Sequence, residues 1–361
     1  MGFTYIFEYL RRLELPTIPR LIFNGSNGNE KFDWTRTEVK LKRIMGLQTF
    51  ISFNILPNPH NNSENVMYMS VPRTQCRRRS LRKHHDDISK KIIKYVVQEI
   101  IRNITSEIIP ESMMADAFFI IRNITGFLCQ TRNKSSPKES DLLPYKFEDL
   151  QEEIDRHMSG KINHTEPEFL HSYVGHIFDG IEDVDIDFQQ DLLYIKDSTK
   201  SFILDIITYI YSLPEAYVEF YLWWDVVKRL ISYTYLNEFV RRIENPHGRI
   251  RINALSGRAL ELPCSKEVTS FMQYAVTYGI AQRWFKTSTG QQVKIMVKQM
   301  RDELRNNIET ADWLDEKTRT ANLEKLKSMN SFIGIPDWLF VDGELAKYYR
   351  KVGGEVCESY S

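Results

Sequence analysis

Apolar residues recur at helical spacing along much of the chain. Ile88, Ile92, Tyr95, Val96, Ile100 and Ile104 mark one side of an amphipathic stretch over residues 88–109. Before it, Val39, Leu41, Ile44, Met45 and Leu47 predict a short helix that Gly46 weakens at its end. Residues 23–36 and 54–65 are rich in Asn, Gly, Pro and Ser and read as loops, and 130–139 reads as a polar loop. The hexapeptide IIRNIT at 100–105 recurs at 120–125, but two copies without further periodicity do not make a solenoid.

The middle of the chain predicts buried helices. Phe202 to Leu213 is one, and Pro214 stands where the next can begin. Ala216 to Ile243 then carries apolar residues almost all round, Tyr217, Phe220, Tyr221, Trp223 and Trp224 among them, as core helices do. Asn245-Pro246, Gly248, Gly257 and Pro263 make 244–265 the candidate internal boundary. Beyond it, Val293, Met296, Val297, Met300, Leu304 and Ile308 mark one face of a helix. Asp312-Trp313-Leu314-Asp315 interrupts that helix, and Asp315 can cap the start of the next. Gly334 is expected to close that last helix, and Pro336 to prevent its continuation.

Composition sharpens this to a mainly α chain with few or no strands. Only 16 of 361 residues are Gly, well below the usual share of about 7%, which favours helix over a turn-rich β architecture. The length suggests about two or three domains. Lys plus Arg and Asp plus Glu number 48 each, so no global field draws the chain to nucleic acid. The basic run Arg77-Arg78-Arg79-Ser80-Leu81-Arg82-Lys83 meets Asp86 and Asp87 directly and reads as a solvated face. No uncharged apolar run reaches the about 18 residues of a membrane-spanning helix, and residues 1–12 lack the basic start of a signal peptide.

Six sequons change the compartment expected. Asn24, Asn61, Asn103, Asn123, Asn133 and Asn163 each precede Ser or Thr by two positions, and all lie in the first half. They predict a glycosylated, extracellular or ectodomain chain. The four cysteines, Cys76, Cys129, Cys264 and Cys357, form no CxxC pair and no zinc-ribbon spacing.

Known catalytic spacings are absent from the sequence. None of the eight His belongs to an HExxH, in which two His one turn apart bind zinc while the Glu activates water. His171 and His176 splay to different sides of a helix, Pro167 separates His164 from His171, and His84-His85-Asp86-Asp87 cannot converge from adjacent positions. Asp183, Asp185 and Asp187 alternate like the start of a calcium loop but lack its Gly and terminal Glu. No GxSxG, Walker loop or GxGxxG is present.

The C-terminal third nevertheless carries a signature. Trp313-Leu314-Asp315-Glu316-Lys317-Thr318-Arg319, followed by Ala321, Lys325, Met329 and Ile333-Gly334-Ile335-Pro336-Asp337-Trp338, resembles the neprilysin and endothelin-converting-enzyme family of zinc metallopeptidases. Upstream, Cys264, Met272, Ala275, Val276 and Phe285, the Tyr221-Leu222-x-Trp224 helix, and Phe32-Asp33-Trp34 resemble the same family. The chain departs from the pattern at the basic run and at Thr277, where the family has Gly.

The resemblance implies a helical lobe that caps a catalytic lobe and restricts entry to small peptides. In the family's order the HExxH, the third zinc ligand and the substrate-binding segment lie past position 361. No catalytic, metal or cofactor-binding residue carries over, so the chain as given is expected to be inactive. Zinc and peptide substrates are implied for the full-length family only. The whole of 1–361 is then an incomplete N-terminal region, with 266–361 leading towards a missing catalytic domain. Cys264 matches a cysteine that in the family bonds to one in that domain. A stand-alone peptide-binding or decoy paralogue is the alternative, and a cytosolic helical protein the third.

Overall fold

The computed structural model describes residues 3–22, 31–58, 61, 63–72, 82–105, 107–134, 142–160, 169–181, 184–234, 236–244, 265, 268–284 and 287–350. The chain divides into two units, Met1–Gly248 and Arg249–Ser361. Both are mainly helical.

The first unit begins with α1 (Thr4–Arg12) and α2 (Trp34–Met45). Asp33 starts α2 by accepting the Arg36 N–H at 3.0 Å, and Gly46 ends it in the left-handed region at φ 67°. Strands β1 (Ser52–Pro57) and β2 (Asn65–Ser70) follow as an antiparallel pair. Next come α3 (Arg82–Thr105), α4 (Glu111–Lys134), β3 (Leu142–Lys146), α5 (Phe147–Met158), α6 (Phe169–Phe178) and β4 (Leu192–Lys196). The unit closes with α7 (Asp197–Ser212), α8 (Glu215–Leu230), a 3₁₀ turn at Ile231–Tyr233 and α9 (Leu236–Glu244).

The sheet order is β1-β2-β4-β3, with β2 and β4 parallel and the outer pairs antiparallel. Its register aligns Phe53, Met69 and Ile195 across three strands, all buried. β1 occupies part of the segment whose Asn and Pro content reads as loop. Each strand is only five or six residues long, too short for a period-2 pattern to stand out, and the partners are about 125 residues apart at β2–β4. Three further boundaries differ from expectation, and the first is α2, which begins at Trp34 inside the segment 23–36 read as loop. α4 continues through Lys134 into the segment read as a polar loop. The single helix expected over 216–243 breaks at the 3₁₀ turn, where Thr234 donates its hydroxyl to the Ile231 carbonyl at 2.9 Å.

The core is aromatic. Trp34 stacks on Phe169 at 5.6 Å and meets Phe50 and Tyr211 edge-on at 5.7 Å each. Phe50 stacks on Tyr221, and Trp223 is fully buried beside Phe220. The aromatic helix α8 is therefore a core element.

The second unit contains α10 (Gln273–Trp284), α11 (Thr287–Thr310), α12 (Glu316–Ser328), a 3₁₀ turn at Asp337–Phe340 and α13 (Glu344–Tyr349). Trp338 stacks on Tyr348 at 5.4 Å, and the Tyr349 hydroxyl accepts the Tyr274 N–H at 3.1 Å. Gly334 has φ 77° but lies six residues past the end of α12, so it serves a later turn and not the helix cap expected from the sequence.

Candidate functional site

The signature residues around Asp315 form a helix-to-helix clamp. Asp315 caps α12 by accepting the Thr318 N–H at 2.9 Å and the Thr318 hydroxyl at 2.7 Å. Those bonds, the hydroxyl first, hold the Asp315 carboxyl below its ordinary range. Arg319 reaches back to the preceding helix end. One guanidinium nitrogen donates to the carbonyls of Ile308 and Glu309 at 2.7 and 2.6 Å, the other to those of Ala311 and Leu314 at 3.0 and 3.1 Å. The last carbonyls of a helix have no partner within it, and a cation there also opposes the helix dipole. The spacing Asp-x-x-x-Arg thus caps one helix start and one helix end from a single turn. Arg301 adds a bond to the Leu326 carbonyl at 2.8 Å, joining α11 to the far end of α12. Sequence reasoning found the Asp315 cap and missed the Arg319 role, because a carbonyl cap depends on tertiary direction and not on type.

A second clamp lies in the first unit. Glu38 on α2 is buried, and its Oε1 accepts the backbone N–H groups of Phe50 and Ile51 at 2.7 and 2.8 Å. Lys42, one turn on, donates to the Phe53 carbonyl. Together they fix the backbone that enters β1. Burial pushes the Glu38 carboxyl up to about 8 against the pull of those N–H groups. Burial likewise pushes the Lys42 amine down to about 8. Asp225 is raised by burial too, while the Thr49 hydroxyl donating at 2.8 Å opposes the shift.

The polar clusters weighed in the sequence are dispersed into local roles. His176 pairs with Asp33 at 3.3 Å, and His157 with Asp205 at 3.2 Å. His171 packs on Phe188 at 4.6 Å. Asp86 pairs with Arg122 at 3.3 Å. Asp187 accepts the Gln189 N–H at 2.9 Å, forming a local turn. His164 and Asp183 lie outside the described residues, as do the side chains of His84 and His85.

The sequons divide in the same way. Asn61 is exposed beside the β1–β2 turn, and its Oδ1 accepts both the hydroxyl and the N–H of Ser63, at 2.6 and 3.3 Å. Asn103 on α3 and Asn123 on α4 are exposed. Asn133 lies in the last turn of α4. Asn24, Asn163 and Cys264 lie outside the described residues. Cys129 on α4, buried at 8% exposure, is disulfide-bonded. The sequence provides no spacing that singles it out.

Among the described residues, no three His, Cys, Asp or Glu side chains come together to hold a metal ion. A zinc site therefore does not fit these described residues.

The mainly helical chain with its small mixed sheet shares its fold with part of two solved metalloprotease structures. The Mycobacterium tuberculosis zinc metalloprotease ZMP1 in its open state aligns with a TM-score of 0.56 at 11% identity, covering 91% of this chain and 46% of that one. Its inhibitor complex aligns at 0.57 and 12%, covering 97% and 51%. The N-terminal model of peptidase family M13 matches residues 1–336, and the chain belongs to that family. Curated relatives include neprilysin-1 of Trittame loki, 26% identical over 104 residues, or 29% of this chain and 14% of that protein. An endothelin-converting enzyme homolog of Locusta migratoria is 23% identical over 130 residues, or 36% and 18%. The chain spans about half the length of the solved structures, and its matched stretches cover a fifth or less of these relatives.

Proposed function

We propose that the chain is the non-catalytic helical lobe of a neprilysin-like zinc metalloendopeptidase, acting on peptides only together with a catalytic region. The observation that carries this reading is the chemistry of the donors. The family signature in this chain is spent on capping helix ends, and neither the HExxH motif nor a converging set of ligands among the described residues supplies a Lewis acid or an activated water. Zinc and peptide substrates belong, on this reading, to the assembled enzyme. The sequons support an extracellular or plasma-membrane ectodomain, with Asn61, Asn103 and Asn123 in exposed positions.

The test is to incubate the purified chain with added zinc and a broad peptide panel. No turnover is expected. Zinc-dependent hydrolysis that disappears on chelation would overturn the reading. Saturable peptide binding without turnover would favour the stand-alone decoy instead. Occupancy of Asn103 or Asn123, read by intact mass of chain from native tissue, checks the compartment.

A further inference from the structure

A cavity of about 810 Å³ opens in the first unit between α3, α4, α8 and α9. That volume falls within the roughly 300–1,000 Å³ of small-molecule sites. Its floor is apolar, with Ile93 from α3, Phe127 from α4, Trp224 from α8 and Ile231 from the 3₁₀ turn. Among the described residues its rim carries three charges. Arg122 and Asp86 neutralise each other in an ion pair. The third charge is Lys228, exposed at the end of α8 and engaged in no hydrogen bond or ion pair among the described residues. The acid nearest it on its own helix, Asp225, feels its charge but already accepts the Thr49 hydroxyl.

Gly126 lies in the wall of the same cavity. It sits within α4 and lines the cavity, yet a Cβ built on it would meet no atom within 4 Å. A glycine costs a helix interior stability, and close approach of a neighbouring backbone is the usual reason to keep one. No such neighbour is present among the described residues, as is equally true of Gly175 and Gly279 in other helices, so Gly126 marks open space at the cavity wall. α4 is also apolar over Glu111–Gln130, although only 33% of its most apolar window is buried. The cavity wall accounts for part of that surplus.

We propose that this cavity binds an amphiphile with one anionic head group, a long-chain fatty carboxylate, with its head at Lys228 and its chain over Trp224 and Phe127. The rim cation selects the sign of the head, and the aromatic floor selects the apolar chain. Every residue invoked belongs to the first unit, so a catalytic region is not required for binding.

The probe is oleate, titrated calorimetrically into the full chain below its micelle concentration, with methyl oleate as the neutral-head control. One saturable site is expected. Lys228→Glu should weaken oleate by about tenfold or more, the effect of losing a charge-assisted hydrogen bond. Gly126→Phe should fill the cavity and abolish binding, and thermal unfolding of each variant reports whether it still folds. If Gly126→Phe fails to fold, Lys228→Gln takes its place and should weaken oleate while leaving methyl oleate unchanged. Absence of oleate binding, equal affinity for methyl oleate, or binding that survives the Lys228 substitutions would overturn the proposal.

Discussion

Glu38 and Lys42 sit one turn apart on α2 and bind opposite kinds of backbone group at the entry to β1. Their shifts have opposite consequences for stability. The Glu38 carboxyl is raised, so between about 4.5 and 8 the folded chain holds a proton that the unfolded chain has lost. Stability from this group is full below about 4.5 and declines as pH rises to about 8. The Lys42 amine is lowered, so between about 8 and 10.5 the unfolded chain binds the extra proton and stability recovers with rising pH. The pair therefore predicts a stability minimum near pH 8. A tenfold change in proton affinity is worth about 1.4 kcal/mol, so the limb due to Glu38 should be a few kcal/mol deep. The Lys42 limb should be shallower, because solvent reaches its amine and screens it. Urea-unfolding midpoints across pH 5–10 check it. Glu38→Gln should flatten the limb below about pH 8 and, by removing the charge that holds the Lys42 amine up, extend the limb above it to lower pH; an unchanged acid limb would refute the assignment.

Arg20 and Glu219 illustrate the same dependence on burial. Glu219 is 3% exposed, and its carboxylate accepts both the Arg20 side chain at 2.6 Å and the Arg20 backbone N–H at 2.9 Å. This ties the segment after α1 to the core helix α8. Arg20→Ala strands a buried carboxylate and should cost about 3 kcal/mol. Removing both partners, with Glu219→Met added, should cost less than Arg20→Ala alone, because no charge is then left buried. Denaturant unfolding of the two variants distinguishes these outcomes.

At the scale of elements, the α11–α12 hairpin depends on one guanidinium. Arg319→Ala leaves four carbonyls at or near the end of α11 without that donor and should cost about 2 kcal/mol. Arg319→Lys keeps the charge but not the planar fork, so much of the loss should persist. Faster hydrogen exchange confined to residues 300–328 is the expected signature. In the first unit, Gly126→Ala places a methyl in open space on a helix and should stabilise α4 by about 0.5–1 kcal/mol. A loss of stability there would mean that the space is not free.

At the scale of the whole molecule, the second unit exposes much apolar surface. Phe332 is 97% exposed and Trp313 84%, and Met296, Met300 and Leu304 on the apolar face of α11 are exposed as well. The periodicity of that face is legible in the sequence, but its partner is not. Such patches mark surfaces made to be covered, and self-association at high concentration is the expected outcome for the chain alone. Sedimentation as a monodisperse monomer at high concentration would count against that expectation.

Much of the helical content is legible in the sequence because it rests on local causes: period-3.6 apolar faces, the Asp315 cap, and the Gly46 and Pro214 boundaries. Family membership is legible because the signature from Trp313 to Trp338 keeps its order and spacing along the chain. The rest needs the fold. The sheet joins β2 to β4 across more than a hundred residues, and neither strand is long enough to announce itself. Whether Glu38 is a surface acid or a buried clamp, and whether Arg319 is solvated or caps four carbonyls, turns on what distant backbone comes within 3 Å. Local propensity and pattern are properties of neighbours in sequence. Burial, ionisation and the emptiness beside Gly126 are properties of neighbours in space, and only the tertiary structure decides them.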